Sequence, residues 1–342
     1  MKFEFRLKQI LEECGLDHRG ILGRIAKETD IHVATIRRIM NNNADPQLQT
    51  IEGVCEWLVA NTHISRDEVL SKLLAPSGWD LWSSLSGREV TVLLGQHPER
   101  GEHEVANPVI SRRDATVLTL VMSRLSSTRV KIEYISPTDP QSKTVIERKG
   151  VSFSNILKAI GQDDSSTGHV ILIGSQLANP ATEMLVAAVC RCQPFDSTSR
   201  HRVPVQLIWR DKEERASCFA GSSLPKRARC KGPGIYYRLG ENRPWIHCPW
   251  KTRSEDSGVV IVVRDTGAAR LVFSLWGFSG WGTEALGRTI AQNADAFAPF
   301  ERDNGTEFGV FVSGFKMKNH NGEIWPKEPP RVVEVPTWYC RS

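Results

Sequence analysis

Residues 23–43, GRIAKETDIHVATIRRIMNNN, constrain the chain more tightly than any other stretch. Their apolar spacing predicts two short helices, about 21–28 and about 32–40, joined by a tight turn through Asp30 and Ile31. Ala26 supplies the small side chain that two steeply crossing helices need, and Ile31 follows the turn as a buried plug. Ile36 and Ile39 lie three apart, on one inward helical face. The opposite face of the second helix carries His32, Val33, Ala34, Arg37, Arg38 and Asn41, with Thr35 beside them. Small, apolar and guanidinium groups together on an exposed helix suit base edges and phosphates in a major groove.

This spacing resembles the helix-turn-helix of the Cro/C1 (XRE-type) family of DNA-binding regulators, over roughly residues 5–75. The flanks carry the resemblance further. Residues 5–13 match the family's first helix, and Asn41-Asn42-Asn43-Ala44-Asp45-Pro46 its polar loop after the reading helix. Residues 50–59 (TIEGVCEWLV) match the fourth helix, and residues 65–74 the fifth, with Ser65 and Glu68 as a capping box. The turn position that the family usually gives to Gly is Asp30 here; Asp tolerates left-handed φ better than most residues. The resemblance implies an all-α domain over residues 1–76 that binds double-stranded DNA as a homodimer, through His32, Val33, Ala34, Thr35, Arg37, Arg38 and Asn41. A helical hairpin in a purely structural bundle is the plain alternative.

At 342 residues the chain is long enough for two or three units with cores of their own. No apolar run is long enough to cross a bilayer, and the first ten residues lack a signal-peptide core, so a cytoplasmic protein with no membrane partner is expected. The eight cysteines, irregularly spaced, are expected as reduced thiols. The formal net charge is +5, yet residues 1–76 hold ten Lys/Arg and eleven Asp/Glu, 10 − 11 = −1. A near-neutral domain binds phosphate backbone weakly without specific contacts or dimerisation.

Beyond the helical segment, Ala75-Pro76-Ser77-Gly78 punctuates the chain, and residues 77–87 are expected as a linker helix. Residues 88–342 alternate apolar β-rich runs (89–95, 129–135, 169–174) with helical segments (to about 125, 154–160, 181–190), which predicts a Rossmann-like α/β domain with a parallel sheet. Asp265-Thr266-Gly267 marks a hairpin between two further β-runs. The overall expectation is therefore a multidomain chain, all-α helix-turn-helix first and α/β Rossmann-like second. A weak repeat recurs: Leu94-Gly95 before Ala106-Asn107-Pro108, then Ile173-Gly174 before Ala178-Asn179-Pro180. In each, a strand ends in Gly and Asn-Pro starts a helix, whose N-terminus would face anions at the sheet's carboxyl edge.

The run GFSGWGT (277–283) follows a β-run and precedes a helix, as phosphate-cradling loops do, but matches neither the Walker A pattern nor GxGxxG. Close helix–strand packing explains its glycines equally well. The candidate ligand set is Gly95, Asn107, Gly174, Ser175, Asn179, Gly277, Ser279, Gly280, Gly282 and Thr283, for a small anion or nucleotide; no cofactor is named by these residues. Cys190, Cys192, Cys218, Cys230 and Cys248 with His201 and His247 lack close ligand spacing, so no metal is assigned. Lys226, Arg227, Arg229 and Lys231 form a basic loop that suits solvent, DNA phosphate or an anion. No nucleophile motif is present, so no catalytic residue is assigned; the helix dipole suffices for Glu183 and Glu284. The expected function is a sequence-specific transcriptional regulator, a repressor by family analogy, whose second domain senses a ligand or mediates dimerisation. The alternatives are an autoregulated nucleotide-binding or nucleotide-processing enzyme and a component of a bacterial defence system.

Overall fold

The computed structural model describes residues 2–16, 18–41, 46–64, 69, 73–77, 81–98, 108–125, 128–135, 168–210, 216–226, 228–229, 231–265, 270–299, 301–303, 306–320, 323–327 and 331–336. The chain divides into two compact units, Met1–Trp79 and Asp80–Ser342.

The first unit contains β1 (Lys2–Phe5), α1 (Leu7–Glu13), α2 (Ile21–Thr29), α3 (Val33–Met40), α4 (Leu48–Asn61) and β2 (Leu74–Ser77). β1 and β2 pair antiparallel, Lys2 opposite Ser77 and Phe5 opposite Leu74. The all-α expectation is thus corrected: a few short helices are accompanied by a two-stranded sheet. Four-residue strands leave almost no periodic signal, and Pro76 in β2 argues against a strand until its isolated, edge-like pairing is known. Phe5, expected to open the first helix, belongs to β1. Leu74, expected to close a fifth helix, belongs to β2, and the capping pair Ser65 and Glu68 lies outside the described residues.

Leu7, Leu11, Ile25, Ile36, Ile39 and Leu58, each at most 1% exposed, form the centre of this unit's core. Asp30 ends α2 in the left-handed region (φ 56°, ψ 24°) and turns the chain toward α3. Ile31 is half-buried, its Cδ1 set close to Gly53 of α4. Polar bonds fix α2 against α4: Glu28 accepts from Trp57 Nε1 (2.7 Å) and Arg24 Nε (2.8 Å), while Arg24 also donates to Asn61 Oδ1 (2.8 Å). The Arg24 bond, then the Trp57 bond, hold the Glu28 carboxyl below its ordinary pKa.

The second unit begins with α5 (Leu81–Leu85). Expected as a linker, it buries Leu81 and Leu85 completely and packs on the Ala294–Phe297 turn. The chain continues through β3 (Val90–Gly95), β4 (His97–Pro98), β5 (Pro108–Val109), α6 (Arg112–Arg124), β6 (Val130–Ile135), β7 (His169–Ile173) and α7 (Pro180–Val189). After α7 come β8 (Val205–Ile208), β9 (Ala220–Gly221), β10 (Gly234–Tyr237), β11 (Ile246–Pro249), β12 (Glu255–Asp265) and β13 (Arg270–Gly277). The last elements are α8 (Gly280–Gln292), β14 (Glu301–Asp303), β15 (Thr306–His320), β16 (Glu323–Pro326) and β17 (Arg331–Glu334).

The main sheet runs β14-β15-β12-β13-β7-β3-β6, with β16 and β17 added on β15. β13, β7, β3 and β6 are parallel, whereas β12, β15 and β14 run antiparallel. A second, four-stranded sheet has the order β11-β10-β8-β9. The Rossmann-like expectation is corrected by this mixed sheet and its companion. The predominantly apolar runs of β3 and β7, buried along their whole length, do form parallel strands. What overturns the simple class is the hairpin β12–β13 and the fifteen-residue β15, which extend the sheet antiparallel. The proposed helix at 154–160 lies outside the described residues.

Each face of the main sheet has its own cover. α7 and the small sheet share one core with Leu93, Leu172, Val259, Ile261 and Trp276. α6 and α8 pack together, α8 on β12 and β13 and α6 on β7, with Val117 set against Gly287.

Candidate functional site

Two regions carry the residues singled out by sequence. The first is the outward side of α3. Ile36 and Ile39 are buried, at 0% and 1% exposure, so helical geometry turns the remainder of the helix outward. Ala34, Arg37, Arg38 and Asn41 are exposed, and Val33 and Thr35 are half-buried at the margin. His32 is exposed but turned onto its own helix: as N-cap, its Nδ1 accepts from Ala34 N–H at 3.2 Å. Its duty is therefore helix initiation as well as any outward contact. α3 carries no acidic residue, and both its cations lie in the last turn, where they also oppose the helix's partial negative end.

The second region is the carboxyl edge of β3, β7 and β13, where α6, α7 and α8 begin. Asn179 caps α7, its Oδ1 accepting from Ala181 N–H (3.1 Å). Its Nδ2 donates to Leu93 O (3.0 Å) and Ile173 O (3.2 Å), tying β3 to β7, and the residue is fully buried. A Cβ on Gly95 would meet the Ala178 carbonyl carbon at 2.7 Å, so this glycine lets the α7 turn close on β3. Gly174 has φ +108°, its carbonyl accepts from Thr182 Oγ1 (2.7 Å), and Ser175 O accepts from Asn179 N–H (2.7 Å). The expected repeat holds only here: α6 starts at Arg112 with Ser111 as N-cap, Pro108 lies in β5, and Asn107 lies outside the described residues.

At α8, Gly280 and Gly282 belong to the first helical turn, where a loop through residue 283 was expected. Asp256, at the start of β12 and 3% exposed, supplies the carboxylate there. It accepts from Gly282 N–H (3.0 Å), Ser257 N–H (2.7 Å) and Ser279 Oγ. A Cβ on Gly282 would sit 2.5 Å from Ser257 O and 2.7 Å from Asp256 Oδ1. Thr283 Oγ1 accepts from Gly277 N–H at 2.9 Å, closing the strand-to-helix turn. Burial pushes the Asp256 pKa up to about 6 against the pull of those bonds. The carboxylate thus stands where an external anion would bind this N-terminus.

Titratable groups do converge here, but on one another. Glu284, 5% exposed, accepts from Arg113 across the α6–α8 contact and from Arg288 Nη2 at 2.7 Å. The Arg113 guanidinium lies 3.3 Å from the centre of the Trp281 ring. Glu284 therefore joins two helices rather than only facing a dipole.

Glu183 likewise exceeds its expected part. Fully buried, it accepts from Ser217 Oγ (2.6 Å), Cys218 N–H (2.6 Å) and Phe195 N–H (3.0 Å), and burial raises its pKa. Cys192 and Cys218 are buried and hydrogen-bonded, and burial raises the Cys218 thiol well above its usual range. His247 stacks on Tyr236 (4.2 Å between ring centres). Among the described residues no three His, Cys, Asp or Glu side chains are grouped to hold a metal ion. Lys226, Arg229 and Lys231 are exposed, and Arg227 lies outside the described residues.

Asp256 and, apart from Cys192 and His201, the segment 191–202, RCQPFDSTSRHR, are absent from the expected site residues. An acid opening a long apolar run, EDSGVVIVV, was the signal for the first. The density of basic and hydroxyl groups was the signal for the second. No helix among the described residues is long and apolar enough to cross a membrane. Compared with known proteins, the chain matches no family model, no curated protein and no solved structure.

Proposed function

We propose that the chain is a sequence-specific regulator that binds double-stranded DNA, with α3 as its reading element and two copies acting together. One observation carries the reading: α3 anchors itself with Ile36 and Ile39 and leaves an acid-free outward side bearing Ala34, Arg37, Arg38 and Asn41. Arginine forks match guanine edges and phosphates, asparagine matches adenine, and the small Ala34 lets the helix approach closely. The resemblance of residues 5–75 to Cro/C1-type regulators supports the same reading. The net charge of −1 over residues 1–76 makes non-specific retention weak, so affinity has to come from base contacts and from pairing of two copies. Selection of bound sequences from random duplex DNA by the full chain tests this. The expected result is a motif with two half-sites about one helical turn apart; failure to enrich any motif overturns the reading.

A second reading, an enzyme acting at the sheet's carboxyl edge, has one observation in its favour: a carboxyl with a pKa near 6 at the α8 N-terminus. Its 3% exposure and three donors weigh against it. Release of phosphate from a nucleoside triphosphate, abolished in Asp256→Asn, would favour this reading over the first.

A further inference from the structure

Between α7 and β8 the chain forms an open recess of about 650 Å³. Arg191, Gln193, Thr198, Ser199, His201 and Arg202 line it with Cys192, and among the described residues no carboxylate is in the lining. Small-molecule sites commonly occupy about 300–1,000 Å³, but they are mostly apolar; this one is basic and polar. Such a wall rejects an apolar ligand and attracts a compact anion.

The recess is held in place from behind. Buried Glu183 accepts from the Phe195 N–H, the Ser217 hydroxyl and the Cys218 N–H. Arg202 Nη1 donates to Arg191 O (3.0 Å), using one of five guanidinium donors. Arg238 Nη2 donates to His201 O (2.7 Å), and Gln206 Nε2 to Arg200 O (3.0 Å). Arg191 (φ 47°) and Phe195 (φ 55°) both adopt left-handed backbone, which side-chain-bearing residues seldom do. Two such residues in one five-residue stretch mark a wall whose shape is imposed rather than relaxed, a property concentrated at functional sites. The nearest carboxylate in sequence, Asp196, is engaged by Thr198 N–H (2.9 Å), Thr198 Oγ1 (2.6 Å) and Ser199 Oγ (2.9 Å), and these bonds hold its pKa low.

We propose that this recess binds a small phosphate-bearing anion, with Arg202 and Arg191 as its cationic contacts and the exposed His201 ring, whose Nδ1 lies 2.8 Å from Thr198 O, as a further polar contact. Two planar guanidinium forks and an imidazole in one concavity suit the several oxygens of a phosphate or pyrophosphate group better than a single carboxylate. Concavity favours a small molecule over a DNA backbone, which needs an extended basic strip. The proposal does not depend on DNA reading by α3 and stands or falls separately.

Titration calorimetry of the full chain with inorganic pyrophosphate, at fixed ionic strength, tests it. Wild-type protein is expected to show saturable binding of one equivalent. Arg202→Gln and His201→Gln should each weaken it at least about tenfold, whereas Arg253→Gln, on an exposed turn elsewhere, should leave it unchanged. His201 is exposed, so its variant provides the readout even if Arg202→Gln fails to fold. No saturable binding by the wild type, equal loss in the Arg253 variant, or undiminished binding in the His201 variant overturns the site. Displacement of bound pyrophosphate by duplex DNA in proportion to its phosphate overturns the small-molecule assignment.

Discussion

The outward side of α3 and the N-terminus of α8 were both singled out by sequence, and they differ in what their polar groups do. At α8, Asp256, Ser279, Gly282 and Thr283 are consumed by one another, and Asp256 is 3% exposed. On α3, Arg37, Arg38 and Asn41 stand exposed while Ile36 and Ile39, with half-buried Met40, secure the helix. A glycine-rich turn and a basic helix each suggest binding, but only the second leaves its chemistry facing outward. Glycine, asparagine and serine at helix starts serve folding first, because unsatisfied N–H groups and backbone approach must be resolved before any ligand arrives. An arginine on an exposed helix face has no such prior claim on it.

The sharpest way to break the comparison is at the α8 turn. Gly277→Ala would press a Cβ into Thr283 N, Gly282 C and Ser279 O, all backbone. It should destabilise the second unit by more than about 4 kcal/mol, measured as urea unfolding followed by tryptophan fluorescence. A loss under about 1 kcal/mol would show that the turn is not packing-limited. Next in size, Ile36→Ala in the fully buried anchor of α3 should cost about 2–5 kcal/mol and be read by loss of helical circular dichroism in the first unit. If stability is retained, α3 is not held by that side chain.

The pH response sharpens the same contrast on the α8 side. Burial lowers His169, whose Nδ1 accepts from Leu271 N–H, from 6.5 to about 4. Unfolding therefore takes up a proton at His169 between those values, and stability falls as pH falls through that window. Asp256 works the other way: with its pKa raised from 3.8 to about 6, folding takes up a proton there as pH falls between those values, so acid favours the native state within that window. Asp256→Asn removes the opposing contribution. The variant should lose stability more steeply than wild type between pH 6.5 and 4 in pH-resolved chemical denaturation. Parallel profiles would contradict the buried ionisation of Asp256. The smallest effect is expected at Gly23, exposed within α2 with nothing near a would-be Cβ. Gly23→Ala should add about 0.5–1 kcal/mol to the first unit's stability, measured by thermal unfolding; a loss would place an unseen constraint on that helix.

How far the sequence could be followed varies with how local the determining physics is. α2 and α3 come close to their expected limits because 3.6-residue periodicity and a left-handed Asp30 are local facts. β3 and β7 announce themselves as predominantly apolar, β-rich runs. The pairing of β1 with β2 joins residues about seventy positions apart, and four-residue strands carry too little pattern to reveal it. The antiparallel continuation through β15 depends on sheet topology, to which alternation of residue types is blind. At the candidate sites, Arg37 and Arg38 were legible as outward residues from the spacing of Ile36 and Ile39. The closing of the α8 turn by Asp256 was not, because the carboxylate comes from twenty-six residues upstream of Gly282. At 191–202 the density of basic and hydroxyl groups was visible in the sequence but the recess was not, since concavity is a property of packing and not of composition.

The central claim is that α3 reads DNA with its exposed cations. The measurement that meets it directly is fluorescence anisotropy of a selected duplex titrated with the full chain and with the Arg37→Ala/Arg38→Ala double variant, alongside thermal unfolding of each. Both arginines are exposed and neither anchors the core, so the melting temperature should be unchanged while affinity falls about 100-fold or more. Equal affinity for the duplex in the two proteins would contradict the account.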